Sequence, residues 1–145
     1  MIQYIKNRSI FLSKAQTLTN PCNCIGIMGK GLAYEFRVRW PGMFKDYVRL
    51  CKNGKTKVGY PYLCKLSIPW ILNFPTKNTL APSRIQYIID GLIHLQNSYK
   101  IWGITSIAIP ALGCGYGGLA WEKVRVTMVE HLDNLDIPVE IYEPK

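Results

Sequence analysis

Two glycine-rich stretches hold the residues best suited to chemistry. The later one, SIAIPALGCGYGGLAW from Ser106 to Trp121, places Gly113, Gly115, Gly117 and Gly118 within six residues of one another, after the apolar run Ile107–Ile109. Glycine loses more chain entropy on folding than any other residue, so this density marks backbone that turns sharply or lies against a ligand. Leu112, Gly113, Cys114, Gly115, Tyr116 and Gly117 then present backbone N–H groups at the start of a predicted helix, a seat for phosphate. The earlier stretch, NCIGIMGKGLA from Asn23 to Ala33, has the same character: Ile27, Met28, Gly29, Lys30 and Gly31 form a loop that adds a cation. Two such loops could grip two phosphates, or one diphosphate from both sides. Neither matches GxxxxGK[ST] or GxGxxG, and for either loop alone a plain structural turn is an equal account.

Side chains able to act on a phosphorylated sugar lie near predicted strand ends. Thr17–Ile25 reads as a strand with Asn20 and Asn23 near its carboxyl end. Ligands of open α/β sheets sit beyond those ends, so both amides are expected to face a pocket; each could instead tie down a loop. Trp70–Phe74 is a second strand, running into the polar loop Pro75-Thr76-Lys77-Asn78. A loop lysine is most often a solvated charge, but an amine partly withdrawn from water at a strand end can serve as a nucleophile. Cys114 lies beside the anion seat with no histidine close in sequence to activate it, so it is not read as a nucleophile. Tyr116 either packs against a ribose or covers the core. Trp121 is read as core, and Glu35 and Glu122 as helix-surface charges.

The elements that must position these residues follow from hydrophobic periodicity. Met1–Ile5 and then Ile10–Leu12 read as an opening strand and its approach to the core. Lys30–Trp40 and the stripe Phe44, Tyr47, Val48 and Cys51 read as helices separated by Pro41-Gly42. Tyr60–Ser67 is an edge-type strand because of Pro61. Ser83 is placed to cap the helix carrying Ile85, Ile88, Ile89, Leu92 and Leu95. Ile104–Ile109 is a buried strand, a helix spans Trp121–Leu135, and Val139–Tyr142 closes the chain. This alternation calls for an α/β fold of three layers, with a mixed, mostly parallel central sheet of about six strands in a single domain.

Composition narrows the function classes. With 145 residues, 48% of them hydrophobic, the chain can bury one core, and no apolar run approaches a membrane span. A soluble monomer of the cytoplasm, or of the nucleus in a eukaryote, is expected. Lysine and arginine total 18 against nine acids, a net charge of +9, which favours nucleic acid or phosphorylated ligands. Five cysteines without a CxxC pair and two separated histidines argue for reduced thiols and against a metal site.

With both loops placed, NCIGIMGKGLAYEF, NFPTK and IPALGCGYGGLAW, in that order, resemble a macrodomain, the α/β/α fold that binds ADP-ribose. The match is closer to the DarG-type branch, antitoxins that remove ADP-ribose from thymidine in DNA. It runs from about Ile2 to Pro144, effectively the whole chain. The resemblance implies that the diphosphate lies between the loop at Gly29–Gly31 and the loop at Gly113–Gly118. It implies that Asn20 and Asn23 approach the distal ribose and its base, that Lys77 carries the chemistry beside Thr76, and that no cofactor is needed. A transferase toxin becomes a candidate partner, alongside ADP-ribosylated nucleic acid.

Two departures stand out. The related terminal ADP-ribose protein glycohydrolases place an aspartate where this chain has Gly117, whereas DarG-like enzymes have glycine there. Macrodomains also open with Gly-Asp-Ile, whose aspartate accepts from the adenine amino group; here Arg8, Ser9 and Ile10 occupy those positions. A neutral hydroxyl in place of the carboxylate weakens recognition by on the order of 1 kcal/mol. Competing readings are an ADP-ribose 1''-phosphate phosphatase and a non-catalytic ADP-ribose reader.

Overall fold

The computed structural model describes all residues, Met1–Lys145. Its elements, in order, are β1 (Ile2–Ile5), a 3₁₀ turn (Ile10–Leu12), β2 (Thr17–Cys22), α1 (Gly31–Arg39), α2 (Pro41–Lys52), β3 (Tyr62–Cys64), β4 (Trp70–Pro75), α3 (Ile85–Trp102), β5 (Ile107–Pro110), α4 (Trp121–Leu132) and β6 (Val139–Tyr142). The strands form one sheet in the order β1-β6-β5-β2-β4-β3, parallel except for the antiparallel edge pair β3–β4. The expected three-layer α/β fold with six strands is therefore present.

The unbroken apolar runs reflect burial on both faces of the sheet. Successive side chains of a strand point to opposite faces. Ile107 and Ile109 accordingly pack with Leu92, Leu95, Val124 and Met128 under α3 and α4, while Ala108 packs with Leu18, Phe36, Met43 and Tyr47 under α1 and α2. Burying such side chains contributes roughly 1.5–3 kcal/mol each relative to exposure.

Several boundaries differ from the sequence expectation. Ile10–Leu12, expected as the approach of the opening strand to the core, is a 3₁₀ turn, because the Ser9 hydroxyl accepts from the Phe11 N–H at 3.2 Å and starts it locally. Strand β2 stops at Cys22 where its pairing with β4 ends, short of Ile25. β3 keeps only three residues, β5 begins at Ile107, and α4 ends at Leu132. Pro41 does end α1, but it also serves as the first residue of α2, where its missing N–H costs nothing. Ser83 is not the cap of α3: that position is Arg84, and the Ser83 hydroxyl donates to the Thr76 carbonyl instead.

One consequence positions the site. Strands β5, β2 and β4 are neighbours and run parallel, so the loops that follow them emerge side by side at the sheet's carboxyl edge. These loops carry the first glycine stretch, Lys77 and the second glycine stretch.

Candidate functional site

At that edge lies a cavity of about 860 Å³, within the range of small-molecule sites. Its wall includes Ser9, Ile10, Asn23, Ile27, Met28, Gly29, Lys30, Thr76, Lys77, Gly113, Cys114, Gly115, Tyr116 and Gly117. Three expected residues are not in it. Asn20 and Leu112 are fully buried below, and Gly31 faces the Tyr116 ring instead.

The loop after β2 is shaped by side chains. Asn23 Nδ2 donates to the Ile27 carbonyl at 2.9 Å, and Asn23 Oδ1 accepts from the Ile25 N–H at 3.1 Å. The Tyr47 hydroxyl, on a fully buried residue of α2, reaches both the Asn23 carbonyl at 3.0 Å and its Oδ1. Burial, then the thiols of Cys22 and Cys51, push the Tyr47 phenol far up from its ordinary value, so it stays a neutral hydrogen-bonding group. The N–H groups of Gly29, Lys30, Leu32 and Ala33 have no partner within the chain, and α1 starts with no side-chain cap. Main-chain donors at a helix start normally find an acceptor, so these are available to an anion.

The loop after β5 is shaped by its own backbone. Leu119 N–H donates to the Gly113 carbonyl at 2.9 Å, Gly118 N–H to Gly115 at 3.2 Å and Cys114 N–H to Ala111 at 3.3 Å. A Cβ on Gly117 would sit 2.4 Å from the Gly113 oxygen, so no other residue fits that fold of the chain. Gly113 has φ +74, a left-handed conformation that glycine adopts freely. The N–H groups of Gly115, Tyr116 and Gly117 are left without internal partners.

The two loops meet. Lys30 Nζ stands 4.2 Å from the centroid of the Tyr116 ring, and the same ring lies 3.0 Å from where a Cβ on Gly31 would be. Two sets of free N–H donors and an ammonium thus border one cavity, the arrangement expected for a diphosphate.

Asn20 has a structural setting. Its Nδ2 donates to Asn73 Oδ1 at 3.0 Å and lies 3.6 Å from Met28 Sδ, while Asn73 Nδ2 donates to the Tyr62 hydroxyl at 3.4 Å. These residues are register partners across β2, β4 and β3, and Asn20 Oδ1 has no partner. Met28 lies between this amide and the cavity, so the expectation that both asparagines face the pocket is corrected for Asn20.

Cys114 is half-buried, and its thiol contacts the Leu112 carbonyl at 3.6 Å. Burial foremost, with the Glu122 carboxylate adding, pushes this thiol up to about 11, which suppresses the nucleophilic thiolate. No cluster of His, Cys, Asp or Glu is arranged to hold a metal.

Arg8, aligned with the adenine-recognition turn, is in the wall, and sequence reasoning missed Phe11, Leu80 and Tyr142 there. Glu35, read as a surface charge, pairs loosely with Arg39 at 3.9 Å yet also borders the cavity. Phe11 stacks on Phe36 at 4.9 Å and on Trp40 at 5.9 Å, which packs the 3₁₀ turn against α1; only the apolar character of Phe11 could have signalled this.

Comparison with known proteins places this geometry. The Macro domain family matches residues 19–128. The DNA ADP-ribosyl glycohydrolase of Mycobacterium tuberculosis is 42% identical over 135 residues, covering 89% of this chain and 38% of that protein. The DNA ADP-ribosyl transferase-DNA ADP-ribosyl glycohydrolase fusion protein of Thermosipho africanus is 38% identical over 155 residues, covering 93% of this chain and 40% of that one. The chain thus spans about two-fifths of the length of these curated relatives. The solved structure of Thermosipho africanus DarTG in complex with ADP-ribose superposes with a TM-score of 0.93 at 38% identity, covering 99% of this chain and 41% of that chain. No helix here is long and apolar enough to cross a membrane. The fold, the paired glycine loops and these likenesses together show that the chain belongs to the Macro domain family.

Proposed function

We propose that the chain is an ADP-ribosyl glycohydrolase that removes ADP-ribose from single-stranded DNA, thymidine foremost, acting as a DarG-like antitoxin. The observation that carries this reading is the placement of Lys77 in the wall of one cavity with the free N–H groups of both glycine loops. Likeness to proteins named for the same activity supports it, and the fusion with a transferase supports a role in reversing that partner's modification.

In this reading the diphosphate accepts from both loops and the distal ribose is held toward Lys77. The unprotonated amine bonds to the anomeric carbon as that carbon's bond to the base nitrogen breaks; the electron pair and the lysine's released proton go to the base. The glycosylamine opens to a Schiff base, water adds to the same carbon, and cleavage of the carbon–nitrogen bond returns the amine and frees ADP-ribose. One water is consumed, and one base and one ADP-ribose are released.

A route through an asparagine-held water has less support. Asn20 is buried away from the wall, and both polar atoms of the Asn23 amide bond within its own loop. Nor is there room at position 117 for an acidic side chain.

The test offers the protein an ADP-ribosylated single-stranded oligonucleotide, ADP-ribose 1''-phosphate and free ADP-ribose. Release of ADP-ribose from the oligonucleotide is expected. With Lys77→Ala it falls at least about 100-fold while free ADP-ribose still binds. Phosphate release instead would establish the phosphatase, and binding without any product would establish the reader.

A further inference from the structure

The loop after β2 is held to α2 at two consecutive residues. Asn23 is gripped by the Tyr47 hydroxyl, and Cys51 lies one helical turn beyond Tyr47 on the same face of α2. Cys24, the next residue of the loop, meets Cys51 through Thr56, whose Oγ1 stands 3.4 Å from the Cys24 carbonyl oxygen and 3.4 Å from the Cys51 Sγ. Gly26 leans on the same place, since a Cβ there would lie 3.8 Å from the Cys51 Cβ. The contact to the carbonyl is long for a hydroxyl donor, and a single proton serves both acceptors, so this clasp is weak.

The free cysteines are not alike. Cys22 and Cys64 are buried, and Cys114 belongs to the other glycine loop, whereas Cys24 and Cys51 are half-buried and open to a small reagent. Burial foremost raises the Cys24 thiol, the Thr56 hydroxyl draws it back, and Cys51 adds to the rise. The influence of both neighbours on one sulfur places the two thiols and the hydroxyl in one cluster. Cys24 therefore rests as an uncharged thiol, and the pair stays reduced until a reagent takes up its electrons.

We propose that Cys24 and Cys51 form a reversible disulfide that takes the place of the Thr56 clasp and loosens the grip of the first glycine loop on ADP-ribose. The oxidant class is a low-molecular-weight disulfide. One protein thiolate bonds to a reagent sulfur as the reagent's S–S bond breaks, and one small thiol leaves. The second protein thiolate bonds to the first protein sulfur and displaces the other small thiol. Two protein thiols are oxidised, the reagent is reduced to two thiols, and the protons go to the departing sulfurs. Drawing Cys24 onto Cys51 pulls on Asn23, whose amide holds Ile25 and Ile27, and so moves the Gly29 and Lys30 N–H groups off the cavity. This effect on binding rests on the anion-seat reading of the loop; the disulfide itself does not.

The experiment incubates the folded protein with oxidised glutathione, maps it by mass spectrometry after digestion without reduction, and reads ADP-ribose binding by calorimetry before and after. A peptide pair joined at Cys24 and Cys51 is expected, with the Kd for ADP-ribose raised about tenfold and restored by a dithiol reductant. Cys24→Ser and Cys51→Ser should each bind as the reduced protein does and should each abolish both the joined pair and the response to oxidised glutathione. Glutathione adducts without the joined pair, a pair involving another cysteine, or an unchanged Kd in the joined protein would overturn the proposal. Lack of ADP-ribose binding by the reduced protein would instead refute the anion-seat reading, and the joined pair, with amide exchange slowed at residues 23–26, would still decide the disulfide.

Discussion

The loop after β2 owes its shape to side chains, whereas the loop after β5 owes its shape to backbone. In the first, Asn23 bonds to Ile25 and Ile27, and Tyr47 reaches up from α2 to hold Asn23. In the second, every internal bond is main chain to main chain apart from the Cys114 thiol contact, and Gly117 lies directly against Gly113. Both leave free N–H groups toward one cavity. The difference teaches that the same display of unpaired N–H groups can be built by two routes with different weak points. The first tolerates any residue that leaves its amide and phenol in place, and the second tolerates almost nothing at position 117.

The sharpest way to break this contrast is Gly117→Ala. Its methyl has no room beside the Gly113 carbonyl, so the loop must shift, at a cost of roughly 1–3 kcal/mol or more. Thermal unfolding should show that loss, and calorimetry should show ADP-ribose affinity lowered more than about tenfold because Gly115, Tyr116 and Gly117 are displaced together. An alanine variant that binds as before would mean that the second loop is not backbone-limited.

Asn23→Ala tests the other plan with a smaller effect. It removes two hydrogen bonds internal to the first loop, leaving the Ile27 carbonyl and the Ile25 N–H without those partners while the Tyr47 hydroxyl keeps the Asn23 carbonyl, and costs about 0.5–1.5 kcal/mol. The melting temperature should drop, and amide exchange should rise at residues 25–31 but not at 113–118. Exchange rising equally in both loops would show that they are one unit rather than two designs.

Alkaline pH should separate the regions more gently. Burial raises the acid groups of Cys22, Cys24, Tyr47 and Tyr62 around the first loop, whereas within the second loop itself Cys114 alone is so affected. Above the ordinary thiol value the unfolded chain sheds protons that the folded chain keeps, so folding stability declines as pH rises from about 8.5 upward. Cys22→Ala should flatten that decline more than Cys114→Ala. The reverse order, read from melting curves between pH 8 and 10, would contradict the assignment.

Much of this site was legible because its signals are local. Backbone that turns or approaches a ligand needs glycine, so the two loops declared themselves, whereas Lys77 was singled out by the family resemblance, its place just after a strand end being only compatible with that role. Asn20 was misplaced because the end of β2 depends on its pairing with β4, which stops at Cys22; the amide therefore sits below the rim, in line with Leu18 and Cys22 on the face covered by Met28. Ser83 looked like a helix cap because that pattern spans a few residues, while its actual partners, Thr76 and Gly117, come from other segments. Phe11 and Leu80 join the cavity through tertiary packing, and nothing near them in the chain marks that.

The central claim is that one diphosphate is held by the free N–H groups of both loops at once, and backbone amide NMR during a titration with ADP-ribose tests it most directly. The amides of Gly29, Lys30, Leu32 and Ala33 should shift together with those of Gly115, Tyr116 and Gly117, along a single binding curve. Shifts confined to one loop, or two curves with different midpoints, would contradict it.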